Sequence, residues 1–284
     1  MSKRLLVTGA SGLLGSRVAA LARDAGWQVV GTFCRHPQPI DGVEMLPLAL
    51  PAGIAGLIRD LRPDAVVHTA YSREPEVMWR VIVEGSAATA RTCRTVGARL
   101  LHISSDAIFA GRPEPYTEAD VPDPVFPYGA AKAAAEAVVA ALNPEALQIR
   151  TSLLYSPPGA SRPDPYMLMA QNLLRNPEQG YLFTDEYRCP ICVDDLAAAI
   201  VELLDRKEYG VLHIAGPAAL SRYAFGRLLV RAAGMDPAGL PAGSAGSLRR
   251  PSHVLLDTSR ARRLLRTALR SPYDVLGDDH EPPA

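Results

Sequence analysis

Three residues of this chain could move a proton. Tyr128 and Lys132 are separated by one helical repeat in Tyr128-Gly129-Ala130-Ala131-Lys132, and Ser105 follows the short apolar run Leu100-Leu101-His102-Ile103-Ser104. Residues i and i+4 share one helix face, so a helix at 128–132 brings a phenol and an ammonium together. A phenol of reference pKa about 10 works as an acid–base at neutral pH only if its anion gains about 4 kcal/mol. A neighbouring ammonium is one source of that energy. Ser105 would hydrogen-bond and polarise an oxygen presented to the tyrosine. Tyr-x-x-x-Lys is in itself a common accident of helices, and its meaning depends on what else the chain carries.

A second motif stands at the N-terminus, Thr8-Gly9-Ala10-Ser11-Gly12-Leu13-Leu14-Gly15. It follows the apolar Leu5-Leu6-Val7 and precedes Leu14, Val18, Leu21, Ala22 and Ala25, which recur at helical spacing up to Gly26. In such a strand-turn-helix unit Gly9 permits the tight turn, Gly12 lets a pyrophosphate approach the backbone, and Gly15 packs helix on strand. The helix N-terminus supplies N–H donors and a partial positive charge. The pattern predicts a dinucleotide site. The next strand ends in Gly31-Thr32-Phe33-Cys34-Arg35-His36, without the acid that would take the adenosine ribose 2′-hydroxyl of NAD. Arg35 suits a 2′-phosphate instead, so NADP is the expected cofactor and NAD the alternative.

These motifs need a scaffold, and the chain supplies one. Strands are expected at Leu5–Thr8, Gln28–Thr32, Ala65–Thr69, Leu100–Ser104 and Leu147–Ser152, alternating with amphipathic helical stretches. Right-handed crossovers then give an α/β, Rossmann-type, doubly wound parallel sheet with a smaller C-terminal substrate-binding lobe. The expected division is residues 1–152 for the dinucleotide and 153–284 mainly for the substrate, with about 188–216 returning to the first domain. Ser156–Pro165 and Met235–Pro251 read as loops, and Gly277–Ala284 as a frayed tail.

Composition narrows the partners. Lys plus Arg and Asp plus Glu number 30 each among 284 residues, and no basic stripe offers counterion release from nucleic acid. The apolar start is too short for a signal peptide and no stretch is long enough to span a bilayer, so the expectation is a cytoplasmic protein without nucleic-acid or membrane partners. Cys189-Pro190-Ile191-Cys192 lacks a second ligand pair, so Cys34, Cys93, Cys189 and Cys192 are expected as reduced thiols and no metal is expected.

On these residues the chain resembles the extended short-chain dehydrogenase/reductases, and within them the dTDP-4-dehydrorhamnose reductase group. The likeness is carried by Val7–Gly15, Pro63–Ala70, His102–Gly111, Pro115–Asp120, Tyr128–Glu136, Val193–Ala197 and His213–Pro217. The resemblance implies that Ser105, Tyr128 and Lys132 are catalytic. It also implies that Gly9, Ser11, Gly12, Leu13, Leu14, Arg35, Thr69, Ala70, Tyr71 and Ser104 line the cofactor with Tyr128 and Lys132, while Asp106, Ala107 and Leu153 face the substrate. NADPH-dependent reduction of a carbonyl, on a nucleotide-linked 4-keto-6-deoxy sugar, is the implied activity, in a monomer or homodimer. Sugar-nucleotide dehydratases place Asp-Glu after the serine, whereas here Asp106 precedes Ala107. Epimerases of the superfamily run longer and keep NAD, and remain an alternative. Four positions depart from the reductase pattern: Ala107 replaces a tyrosine, Leu153 a tryptophan, Ile82 an asparagine of the proton relay, and Ala49 an acid at the adenine. The family also contains the regulatory subunit of methionine adenosyltransferase, which binds NADP without an established reductase role. An NADP-binding interaction protein with an idle site is therefore the rival reading.

Overall fold

Leu5, Leu6 and Val7 have no exposed surface, so the first strand, β1 (Arg4–Thr8), is covered on both faces. That is the signature of a central strand in a parallel sheet. A computed structural model, which describes residues 2–160, 162, 164–246, 248 and 250–277, shows the rest of that sheet. The further strands are β2 (Gln28–Phe33), β3 (Glu44–Pro47), β4 (Ala65–His68), β5 (Arg99–Ile103), β6 (Leu147–Arg150) and β7 (Gly210–His213). They pair in parallel in the order β7-β6-β5-β4-β1-β2-β3. The chain runs outward from β1 to β3 and then returns to the other side of β1, so the order reverses between β1 and β4. Crevices outside the C-terminal strand ends at such a reversal are where this architecture receives ligands.

The pleat sorts the core into two layers. Leu5, Val7, Leu101 and Ile103 face helices α1 (Leu13–Asp24) and α6 (Val193–Leu203) through Val18, Ala22, Leu196 and Ile200. Leu6, Val66 and Leu100 face α2 (Ile54–Leu61), α3 (Gly85–Val96) and α4 (Pro127–Leu142) through Ile58, Cys93 and Val139. All five expected strands are present, their ends differing by a residue or two. The two outermost, β3 and β7, were not anticipated as strands.

In the second half, α5 (Pro165–Arg175) and α7 (Arg222–Ala232) pack together with short strand pairs around Tyr155, Phe225, Leu173 and Val230, and two short helices, Ser259–Leu264 and Pro272–Leu276, follow. The two expected loops are largely irregular among their described residues, and each is anchored at particular points. Pro165 opens α5, where its missing N–H costs nothing, and the Asp164 carboxylate accepts hydrogen bonds from Tyr166 N, Met167 N and Ser156 N. Ala242–Gly243 pairs with Leu182–Phe183 inside the Met235–Pro251 stretch. The tail beyond Gly277 lies outside the described residues. A continuous helical stretch precedes and includes α3: Pro75–Trp79 is α-helical, Arg80–Glu84 forms a π turn, and α3 follows. Ile82 sits in that π turn and packs with Val83 against Ala131 and Ala135 of α4. No helix among the described residues is long and apolar enough to cross a membrane.

Candidate active site

The glycine turn connects β1 to α1. Gly9 adopts φ +69°, and a Cβ there would lie 2.9 Å from Ala70 Cα. At Gly15 a Cβ would meet Gly9 O at 2.4 Å and Thr69 Oγ1 at 2.8 Å, so this glycine is what lets the helix close on the turn. Gly12 differs: a Cβ would meet only Gly9 O, at 3.2 Å, and would otherwise project into open space. It also caps α1 without a side-chain hydrogen bond, which leaves first-turn N–H groups available. A cradle that a side chain would fill, at an uncapped helix N-terminus, fits a dinucleotide pyrophosphate. Across the crevice Thr69 Oγ1 donates to Thr8 O at 2.6 Å, fixing Thr69 and Ala70 beside the turn. Arg162 reaches the same turn, donating to the carbonyls of Ser11 (2.6 Å) and Gly12 (3.1 Å). Ser11, Leu13 and Leu14 follow from the turn itself.

Arg35, past the end of β2, is bound bidentately to Glu74, at 2.7 and 2.6 Å. Glu74 belongs to the segment after β4, which also carries Tyr71 and Arg73 and lines a cavity of about 690 Å³ with Ser72 and Pro75.

Ser105 leaves the C-terminal end of β5 and caps the short helix Asp106–Ile108, accepting from Ala107 N at 3.2 Å. Its hydroxyl donates to Asp106 Oδ1 at 3.2 Å. Asp106 is only 4% exposed, and its other oxygen accepts from Ser152 Oγ at 2.6 Å and lies 3.8 Å from Arg188 Nε. Burial raises its pKa above the ordinary value despite Arg188. The residue expected at the substrate is thus engaged in holding Ser105 and Ser152. Ser104 is buried beside it, its hydroxyl without a partner among the described residues.

Tyr128 and Lys132 occupy the first turns of α4, which Pro127 starts. The helix end is seated on the serine segment: a Cβ at Gly129 would fall 2.1 Å from Ala107 O. Lys132 is 4% exposed and donates to Ile103 O at 2.9 Å. Burial lowers its pKa to about 8. Tyr128 is pushed upward by burial, and the cation that opposes this is Arg73, whose guanidinium lies 5.1 Å from the ring centroid. Tyr71 meets the same ring edge-on at 6.0 Å, and Lys132 lies 5.8 Å from the Tyr71 ring.

Sequence reasoning did not single out Arg73, Tyr166, Arg188 or Arg162. Arg73 lies near the Tyr166 hydroxyl, and Arg222 stacks over the Tyr166 ring at 4.7 Å. Glu186 gathers Arg188, Arg222 and Arg250 at 3.3, 3.9 and 2.6 Å. Three guanidiniums therefore face two buried carboxylates, Glu186 and Asp106. Leu153 packs into the Tyr155–Phe225 cluster together with Tyr166, and Ala107 is half-buried beside Ser105. Of these, Arg162 lies within the expected loop Ser156–Pro165 and Tyr166 directly follows it.

Behind the site, Thr8, His68, His102 and Gln148 face one another across four adjacent strands and are nearly wholly buried. Thr8 Oγ1 meets His68 Nδ1 at 2.8 Å, and Ser86 Oγ meets His102 Nε2 at 3.1 Å. Burial, reinforced by Lys132, lowers both histidine pKa values, that of His68 to about 3. Cys189 and Cys192 are buried as free thiols in separate clusters.

A family model described as the RmlD substrate binding domain matches residues 3–274. Among curated proteins, a dTDP-4-dehydrorhamnose reductase of Mycobacterium tuberculosis is 30% identical over 264 residues, covering 88% of this chain and 82% of that protein. Methionine adenosyltransferase 2 subunit beta of Xenopus laevis is 27% identical over 294 residues, covering 96% and 86%. Among solved structures, a dTDP-4-dehydrorhamnose reductase of Bacillus anthracis in complex with NADP superposes with a TM-score of 0.81 at 23% identity, covering 97% and 96%.

Proposed function

Because the chain belongs to the RmlD substrate-binding-domain family of extended short-chain dehydrogenase/reductases, we propose that it is an NADPH-dependent carbonyl reductase acting on a nucleotide-linked 4-keto-6-deoxy sugar. The observation that carries the reading is the Arg73 guanidinium over the Tyr128 ring, on a helix end seated against the segment that follows Ser105. When bound, the nicotinamide supplies the hydride. Ser105 turns its single O–H, given to Asp106 in the free protein, onto the carbonyl oxygen. Tyr128 delivers the proton to that oxygen, and Arg73, rather than the ammonium of Lys132, is the cation at its ring that stabilises the phenolate left behind. Lys132, buried and with two N–H groups beyond the one given to Ile103, holds the nicotinamide ribose. Gly9, Ser11, Gly12, Leu13 and Leu14 hold the pyrophosphate, Thr69, Ala70, Tyr71 and Ser104 the nicotinamide side, and Arg35 the 2′-phosphate. The excess of guanidinium around Glu186 suits the diphosphate of a sugar nucleotide.

The same proposal divides the chain at residue 152, with 153–284 forming the substrate lobe apart from about 188–216, in a cytoplasmic monomer or homodimer. NADPH oxidation by the purified protein against a panel of 4-keto-6-deoxy sugar nucleotides tests it. Turnover of at least one member supports the assignment, and tight NADPH binding with no turnover on any of them refutes it.

A second reading has its own observation. Ile82, where the reductases carry a relay asparagine, is 1% exposed and closed into an apolar contact with α4, and the likeness to the methionine adenosyltransferase subunit spans nearly the whole chain. Under that reading the chain holds NADP as a structural ligand of an interaction module. Bound cofactor without turnover is its expected result.

A further inference from the structure

The end of β2 lacks the acid that would take the ribose hydroxyls of NAD, yet a carboxylate reaches that place from elsewhere in the fold. Arg35 follows β2 and Glu74 follows β4, and these strands flank β1 on opposite sides. The two side chains therefore meet across the glycine turn, in a bidentate pair at 2.7 and 2.6 Å. Glu74 is not a free-swinging surface residue. Its N–H donates to Ser72 Oγ at 3.2 Å, and Pro75 behind it opens a helix and keeps Glu74 extended, at φ −69° and ψ 119°. Both side chains stay open to solvent, 64% and 48% exposed, so a ligand can enter between them without unfolding anything.

We propose that Glu74 is the residue that sets the choice between NADP and NAD, by occupying the Arg35 fork that a 2′-phosphate would take. This rests on the dinucleotide reading of the glycine turn and deepens it. A guanidinium fork accommodates one bidentate oxyanion at a time. A 2′-phosphate must displace the Glu74 carboxylate from the Nη1/Nη2 fork or take the Nε edge beside it, and in either case tolerate it nearby, whereas NAD leaves the pair intact and finds in Glu74 an acceptor for its ribose hydroxyls. Selectivity is a difference of affinities, and here the competitor for Arg35 is part of the protein. Arg35 on its own therefore overstates the preference for NADP.

The test is a binding cycle that needs no substrate: NADPH and NADH titrated into the parent protein, Glu74→Gln, Arg35→Ala and the double variant. Glu74→Gln is isosteric and lies on the surface, so it should leave thermal unfolding unchanged. It should tighten NADPH by about threefold to tenfold, the scale of an exposed ion pair plus the relieved repulsion of a phosphate, while NADH is unchanged or weaker. In the Arg35→Ala background the same change should alter NADPH binding by less than about twofold, because the competition is gone. The gain should also shrink as salt is raised. An NADPH-to-NADH ratio in Glu74→Gln within about 1.5-fold of the parent, or a gain undiminished without Arg35, overturns the proposal while leaving the dinucleotide site standing. Failure of the parent to bind either cofactor overturns both.

Discussion

Arg73 is the residue whose removal should speak most directly about the chemistry. Its guanidinium carbon lies 5.1 Å from the Tyr128 ring centroid, and burial pushes the Tyr128 phenol above its ordinary value. With the centroid as the seat of the phenolate charge, a unit pair at that distance is worth about 0.8 kcal/mol in a water-like medium and about 3 kcal/mol at an effective dielectric of 20. Arg73 is itself exposed, which favours the lower part of that range, about 1.4 kcal/mol or one pH unit. The sign follows from the direction of reaction. Reduction needs Tyr128 protonated, so the rate falls as pH rises through its pKa, and removing a nearby cation raises that pKa. Arg73→Gln should move the alkaline limb of the kcat profile for NADPH oxidation upward by about one pH unit. It should also lower the plateau, since a weaker acid gives up its proton less readily. Arg73→Lys should restore most of both. A limb that stays in place, or moves to lower pH, in Arg73→Gln would refute Arg73 as the cation acting on Tyr128.

Three further outcomes follow from the same coordinates. Tyr128→Phe removes the proton donor and little volume, so kcat should fall by about 10²- to 10⁴-fold with NADPH affinity nearly unchanged; retention of most activity would sink the mechanism. The two glycines of the turn should separate in their effects. Gly15→Ala forces a Cβ within 2.4 Å of Gly9 O and should cost about 2 to 4 kcal/mol of stability, read as a lowered Tm, whereas Gly12→Ala should unfold like the parent but bind NADPH at least about tenfold more weakly. His68, His102 and His213 are buried with lowered pKa values, to about 3 for His68 and about 4 for His213. The unfolded chain protonates them near pH 6.5 and the folded one does not, so the stability present above that pH is lost as pH falls below it. Between pH 6.5 and 5 the three together should lower stability by roughly a few kcal/mol. Urea midpoints at the two pH values check this, and a conservative replacement of His102 should flatten the dependence by about a third.

The parts of this protein that could be read in the sequence are those whose physics is local. β1, β4 and β5 are mostly apolar runs buried on both faces, and such runs announce themselves, while β2 and β6 carry enough Val, Ile and Leu between their polar positions to be read beside them. Glycine spacing is legible for the same reason, because the close approaches at Gly9 and Gly15 are made within one turn and its immediate neighbour. The strand β3 escaped notice because Glu44-Met45-Leu46-Pro47 lies at the sheet edge with exposed and half-buried side chains, so neither a buried run nor a clean alternation marks it. β7 begins at Gly210 and owes its place to pairing with β6, more than sixty positions upstream. The pairings that shape the candidate site are of this second kind. Glu74 meets Arg35, Asp106 meets Arg188 and Ser152, and Arg73 meets Tyr128 and Tyr166, each across a sequence separation that periodicity does not report.

The substrate side shows what such pairings change. Read alone, Ala107 and Leu153 remove a phenol and an indole and leave a wide apolar pocket. The fold closes part of that gap from another direction. Asp164 ties Ser156 to the first turn of α5, which shortens the intervening loop and carries Tyr166 toward the crevice. There the Tyr166 ring lies under Arg222 and its hydroxyl meets Arg73, which in turn covers Tyr128. An aromatic face is thus present, but it is bracketed by two guanidiniums rather than by neutral hydrogen-bonding groups. A neutral, hydroxyl-rich ring gains little from that exchange, whereas an anionic group beside the reacting carbonyl gains a charge-assisted partner in a partly desolvated place. We infer that charge close to the carbonyl, more than the pattern of ring hydroxyls, is what this site selects, so that substrates differing in hydroxyl stereochemistry should compete on nearly equal terms. Steady-state comparison of epimeric keto-sugar nucleotides decides it: kcat/KM values within about tenfold of one another fit a site that reads charge, and a preference above about a hundredfold for one epimer would mean that hydrogen bonds to the ring govern instead.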